Sequence, residues 1–432
     1  MTTEPTAFSM RAEIEPNADG WLTCRPVRVG TTTIIIESPT EAVVRHFDAL
    51  LAAMPDGDAD VVARPADIYR NPGTAPAIDV RVSLAQGATP DDTPFELWIG
   101  SRRAVHSRRL WRSEDEFLVH LNRWALDLTP ELLHLHTGLV ERDGVGVLLV
   151  GPSGSGKSTL TAHLVRAGWT YHSDEMVAID PAHPFEAHSY PRPISLKRGS
   201  WPIFSDLPSV PDPDRAHGDR EAVHLPPAEL APVRQVSTAN IGAIVFVSYG
   251  DEPTAIRPVG PAEAIEGLTA DTLDLPRARE AGMQALVDLA TSTHLLRLTF
   301  DDLDAAAEQL EGVLKLTPVA HHHTVAIPPS PAHTFPTEPS AIAGGSRVQR
   351  GQHVSAWSFG DSGVIYDAEQ GLVARIDRTG VEVWQRLDGT STLAEIAGDL
   401  APDTLAEATD GVIAYVRGLS EAHLIDVAEQ DS

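Results

Sequence analysis

Lysine is almost missing from this chain. Lys157, Lys197 and Lys315 are the only three among 432 residues, and arginine supplies the rest of the 33 basic side chains. Against 61 acidic residues they leave a formal net charge of -28. So acidic a chain repels phosphate backbones, which argues against nucleic-acid partners. Cysteine is rarer still. Cys24 stands alone, so no internal disulfide can form, in keeping with a reducing cytosol. No apolar run approaches the ~20 residues a membrane helix needs. The opening stretch, MTTEPTAFSMRAEIEPN, has no basic n-region and no apolar h-region, so no secretory signal is expected. A cytoplasmic protein with no membrane partner is the expectation.

What is present divides into four stretches. Residues 1–130 read as mixed α/β. TTTIIIES is a strand signal, and EAVVRHFDALLAAM has apolar residues at helical spacing. FELWIG and RAVHSRRLW read as paired strands. SEDEFLVHLNRWALDL then places Phe117, Leu121, Trp124 and Leu128 on one helical face. Residues 131–315 begin with buried-type strands (LLHLHTGLVE, VGVLLVG). A helix stopped by Gly168 and a short strand, WTYHS, follow. IGAIVFVSY and LLRLTF are further strands, the spans 261–269 and 277–291 are helical, and DDLDAAAEQLEGVL is a capped helix.

Residues 316–350 are rich in Pro, Ser, Thr and Gly and read as a linker. Within them, the run His321-His322-His323 has no spaced partner ligands and reads as solvated chain rather than a metal site. Residues 351–432 form a small winged-helix-like α+β unit. GVIYDA and GLVARID make a hairpin, and Thr392 with Glu395 opens a helix as a capping box. Its basic residues are few against many acids, so it is not read as a DNA reader.

One short motif carries the chemistry. GPSGSGKS, Gly151 to Ser158, satisfies G-x-x-x-x-G-K-[ST], with a strand before it and a helix after it. Such glycines let successive N–H groups turn inward as an anion nest, and the helix N-terminus adds partial positive charge. Gly151, Pro152, Ser153, Gly154, Ser155, Gly156, Lys157, Ser158 and Thr159 are therefore the candidate nucleotide-binding residues. Lys157 reaches the β- and γ-phosphates in this reading, and Ser158 ligates Mg²⁺.

A typical ATPase places an acid at the end of a downstream apolar strand. IGAIVFVSYGDE has Val247-Ser248-Tyr249 there instead. Acids follow WTYH at once, as Asp174 and Glu175. A strand returning parallel and adjacent to the loop strand would set both beside the phosphates. One carboxylate would then hold Mg²⁺ and the other take a proton from an acceptor hydroxyl.

These residues resemble HPr kinase/phosphorylase and its shorter bacterial relatives. The matching pieces are HTGLVE (His136 to Glu141), GPSGSGKST, AGWTYHSDEMVAID (Ala167 to Asp180), RPISLKRGS (Arg192 to Ser200) and LLRLTFDDLDAAAEQL. The resemblance implies the α/β P-loop kinase fold shared with phosphoenolpyruvate carboxykinase, with ATP and Mg²⁺. It implies that Asp174 is the base, that Glu175 assists the metal, and that His136 lies near the phosphates. It also implies that Lys197 or Arg198 touches a phosphate. The regulatory members form hexamers, so a homo-oligomer is an open alternative. Their longer signature after the acid pair is missing, so the resemblance does not extend to the phosphorylase activity or to HPr itself as substrate, and both stay open.

Residues 351–428 resemble the PqqD family of peptide-binding chaperones, on LVARIDRTGVEVWQRLDGTSTLAEIAGDL and the closing helix. That resemblance implies capture of a peptide leader by strand addition. Together the two imply an ATP-dependent serine kinase acting on a peptide or small protein held by the C-terminal module, in the maturation of ribosomal peptides. An ATP-gated binding protein and an ATPase without transfer to a peptide are the alternatives.

Overall fold

The computed structural model describes residues 20–30, 32–57, 77–84 (backbone only), 95–100, 102–211, 220–234, 236–316, 324–328 and 342–427. The run His321-His322-His323 lies outside them. Contacts divide the chain into two compact units. The first comprises Met1–Asp180, Phe185–Ile256 and Arg297–Leu316, and the second Pro181–Pro184, Arg257–Leu296 and Thr317–Ser432.

In the first unit, an N-terminal sheet has the order Leu22–Thr23, Thr32–Ser38, Ala77–Leu84, Phe95–Ile99, Arg102–Ser107. Thr32–Ser38 and Ala77–Leu84 run parallel, which requires a crossover, and helix Glu41–Leu50 lies in that connection. Helix Leu110–Leu128 buries Phe117, Leu121, Trp124 and Leu128, as their spacing predicts. Phe117 meets Phe47 edge-to-face at 5.6 Å and Trp124 at 6.3 Å. Met176 and Tyr190 belong to the same hydrophobic cluster, so this layer is continuous with the middle of the chain.

A central mixed sheet carries the loop motif. Its order is Thr170–Ser173, Gly138–Arg142, Val145–Val150, Thr238–Tyr249, Glu186–His188, Val177–Ile179, Leu133–Leu135. Gly138–Arg142 and Val145–Val150 form a hairpin. Its turn, Asp143-Gly144, has φ of 55° and 79°, the left-handed pair that a two-residue hairpin turn requires. Thr238–Tyr249 runs parallel to the loop strand, with Phe246 opposite Val150.

The strand before the acid pair is not adjacent to the loop strand, contrary to the expectation. Thr170–Ser173 pairs antiparallel with Gly138–Arg142, which separates the two. Two antiparallel steps restore the direction, so Thr170–Ser173 still points its C-terminal end to the sheet edge where the loop lies.

In the second unit, helices Pro261–Ala270 and Leu275–Ser292 group with the C-terminal residues. Leu275–Ser292 is broken at Arg279, where φ is 50°. A four-stranded antiparallel sheet has the order Val325–Ile327, Val354–Ser358, Ser362–Asp367, Leu372–Asp377. Trp357 Nε1 donates to Gln284 Oε1 at 3.2 Å and Ser355 Oγ to Glu280 Oε1 at 2.8 Å, tying the second helix to this sheet.

The stretch read as a linker thus contributes two strands: Val325–Ile327, which pairs with Val354–Ser358, and Arg347–Arg350, which pairs with Asp388–Thr392 and Ile425–Val427. The three residues of the first are too few to show a strand period among prolines. Helices Arg378–Arg386, Leu393–Leu400 and Leu405–Glu421 surround Trp384, Leu393, Ile396 and Val416. The capping box at Thr392 and Glu395 is formed. No helix among the described residues is long and apolar enough to cross a membrane.

Candidate functional site

The loop leaves strand Val145–Val150, of which Val147, Leu148, Leu149 and Val150 are all inside. Gly154 and Gly156 have φ of 93° and 92°, a left-handed region that glycine enters freely. Gly156 caps helix Lys157–Arg166. A Cβ there would stand 2.7 Å from Phe300 Cζ and 3.0 Å from Tyr249 Cβ, so only glycine fits. The Tyr249 N–H donates to the Ser155 carbonyl at 2.9 Å and fastens the loop to the neighbouring strand. Lys157 is buried, and its ammonium donates to the Gly151 carbonyl across the loop. Ser155 Oγ is buried with no hydrogen-bond partner. A glycine-bent loop, a helix N-terminus, an ammonium group and an unpartnered hydroxyl form a donor set suited to an oxyanion.

Lys197 Nζ donates to Ser153 Oγ at 2.7 Å, bringing a second lysine to the loop. Thr159 Oγ1 and Ser200 Oγ are 2.5 Å apart. The Arg198 guanidinium lies over the Trp201 ring, 5.9 Å from its centroid.

Asp174 is buried, and its Oδ2 accepts from the Ser195 N–H at 3.2 Å. Its Oδ1 is buried without a hydrogen-bond partner, although the Ser158 hydroxyl is close enough to favour its ionised form. Burial, and then the charge of Glu175, push the Asp174 carboxyl up to about 6. Arg192, the Ser195 N–H and the Ser158 hydroxyl oppose the rise. A carboxylate so tuned is ionised at neutral pH yet takes a proton readily.

Glu175 is half-buried. Asn122 Nδ2 donates to its Oε1 at 3.4 Å, Arg192 Nη2 lies 3.6 Å from Oε2, and His136 Nδ1 lies 3.8 Å from Oε1. His136 is thus placed beside the acid pair. Ser158, Asp174, Glu175 and His136 come together here, while Lys157 stays with the loop. Among the described residues, no group of three or more His, Cys, Asp or Glu could hold a metal alone. A hydroxyl with one or two carboxylates suits Mg²⁺ that draws its remaining ligands from phosphate and water.

Several residues of this neighbourhood carried no role in the sequence reading. Arg192 is buried and donates to Asn122 Oδ1 at 3.0 Å and Ser195 Oγ at 2.6 Å. The Ser195 hydroxyl also meets His224 Nδ1 at 3.2 Å, and His224 Nε2 meets Asp115 Oδ1 at 2.6 Å. A cavity of about 430 Å³ opens beside them, lined by Trp111, Asp115, Asn122, Glu175, Arg192 and Ser195 among others. Arg192 and Ser195 fall in the RPISLKRGS motif. Asp115, Asn122 and His224 had no local signal.

The chain therefore joins a mixed α/β unit, built around a glycine-bent loop and an adjoining acid pair, to an α+β unit. A family model described as "Coenzyme PQQ synthesis protein D (PqqD)" matches residues 362–425, from the hairpin of the second unit to its last strand. No curated protein matches the chain. Among solved structures, the Hpr(Ser) kinase/phosphatase from Coxiella burnetii aligns with 42% of this chain and 93% of its own. The identity is 11% and the TM-score 0.23, and a likeness of that size bears no weight here.

Proposed function

We propose that the chain is an ATP-dependent kinase that phosphorylates a hydroxyl, that of serine, on a peptide or small protein bound by its C-terminal unit. The nucleotide phosphates lie against residues Gly151 to Thr159, with Lys157 at the β- and γ-phosphates. Asp174 takes the proton from the acceptor hydroxyl. Ser158 and Glu175 would hold Mg²⁺, which when bound neutralises charge on the phosphates. His136 orients Glu175. Lys197, already at Ser153, is a second cation for the phosphates.

The observation that carries this reading is the state of Asp174. It is buried, one oxygen is unpartnered, its pKa is raised to about 6, and the Ser158 hydroxyl of the loop helix is close to it. Burying a carboxyl in this way costs stability, and a general base beside a phosphate loop gives that cost a purpose. The match of residues 362–425 to PqqD supports a peptide as partner, in the setting of ribosomal peptide maturation. One chain carrying both parts raises the local concentration of the acceptor, so the kinase site need not bind it tightly.

The test is incubation with labelled ATP, Mg²⁺ and a leader-bearing peptide encoded beside this gene. Label on a peptide hydroxyl is expected from the native chain, and loss of it from Asp174→Asn. Equal label from both would refute the assignment of the base. No label from the native chain, with nucleotide bound, would make it a nucleotide-gated binding protein instead.

A further inference from the structure

Ser195 has the surroundings of a nucleophile. Its hydroxyl meets His224 Nδ1 at 3.2 Å, and His224 Nε2 meets Asp115 Oδ1 at 2.6 Å. The Asp115 carboxylate can only accept, so Nε2 carries a proton. Nδ1 of the neutral ring is then the acceptor for the Ser195 O–H. Arg192 Nη2, whose protons can only be donated, approaches the same oxygen at 2.6 Å and would steady negative charge developing there. A base, a group that orients the base, and a cation thus converge on one hydroxyl.

Two further facts place this hydroxyl. Ser195 lines the cavity of about 430 Å³ rather than the packed core. Its own N–H binds Asp174 Oδ2 at 3.2 Å, so it stands next to the carboxyl that the Ser158 hydroxyl approaches. Ser153, by contrast, is exposed and held by Lys197.

We propose that Ser195 is itself a phosphoacceptor, converted to phosphoserine by the nucleotide bound at the loop; this rests on the kinase reading above. Ser195 Oγ attacks the terminal phosphorus of a nucleoside triphosphate. The Oγ–P bond forms, the bond from that phosphorus to the β,γ-bridging oxygen breaks, and the nucleoside diphosphate leaves with the electron pair. The Ser195 proton passes to His224 Nδ1, and Asp115 holds the resulting imidazolium. Arg192 then faces the new phosphate.

The experiment uses the full chain with Mg²⁺ and labelled ATP and no peptide, so that a phosphorylated protein accumulates. Intact mass and peptide mapping should find one phosphoryl group, on Ser195. Ser195→Ala should remove it, and His224→Gln should slow its formation by about 10²-fold or more. A native chain that labels a peptide but carries no phosphate on Ser195 overturns the proposal and leaves the kinase reading intact. Phosphate on another residue with Ser195 unmodified also overturns it, as does an unchanged rate in His224→Gln. Transfer to neither protein nor peptide overturns both readings.

Discussion

Each unit buries an arginine, and the two are used differently. Arg350, in the second unit, donates to the carbonyls of Trp384 at 2.9 Å, Gln385 at 3.0 Å and Pro328 at 3.2 Å. Two of these belong to the end of helix Arg378–Arg386, whose last carbonyls have no partner within the helix. Arg192, in the first unit, donates to Asn122, to Ser195 and to the neighbouring Pro193 carbonyl, and lies near Glu175. Three of those partners are side chains on a cavity wall. Taking a charge out of water costs several kcal/mol. Around Arg350 that cost secures a helix end. Around Arg192 it arranges groups that can move protons and bind charge.

The largest expected effect falls on the first unit. Asp174→Asn should lower transfer to the acceptor by about 10²–10⁴-fold, measured with labelled ATP, while binding of the peptide to the second unit is unchanged. Arg350→Ala should do the opposite. It removes a donor from three carbonyls, of which Trp384 keeps the Leu387 N–H at 3.3 Å, and should cost about 2–3 kcal/mol, read as a lower midpoint for the second unit in a thermal or denaturant scan. Arg192→Met should lower transfer and also move its pH dependence upward, because Arg192 holds the Asp174 carboxyl down. An Arg192→Met protein with native kinetics would erase the contrast between the two arginines.

Stability should report the same carboxyl. The Asp174 pKa is raised from 3.8 to about 6 in the folded chain, so the folded state binds more protons than the unfolded one between those values. Its contribution is therefore fully present below about pH 4 and lost as pH rises through about 6, by up to about 3 kcal/mol. Unfolding of the ligand-free protein should lose that pH dependence in Asp174→Asn. The smallest effect is Thr392→Ala, which removes one half of a capping box and should cost about 1 kcal/mol.

Local chemistry was legible in the sequence wherever a few consecutive residues decide it. The glycine loop, the helix stop at Gly168 and the cap at Thr392 are of this kind, and so is the acid pair. Pairing across the sheet was not. Nothing in WTYHS says that Gly138–Arg142 lies between it and the loop strand, because strand order is set by packing of distant segments. The Ser195–His224–Asp115 chain was invisible for the same reason. Its members come from one helix and two paired short strands, with Asp115 and His224 separated by 109 positions. The strand Asp388–Thr392 was hidden by its own residues, since Asp388-Gly389 reads as a helix end and Thr392 as the cap of the next helix.

The central claim is that Asp174 is the base for phosphoryl transfer, and the pH dependence of that transfer tests it most directly. Between about pH 5 and about pH 8, the native rate should rise through a single ionisation near 6, the value set by burial and Glu175. Asp174→Asn should lack that rise. A flat native profile, or the same rise in the variant, would contradict it.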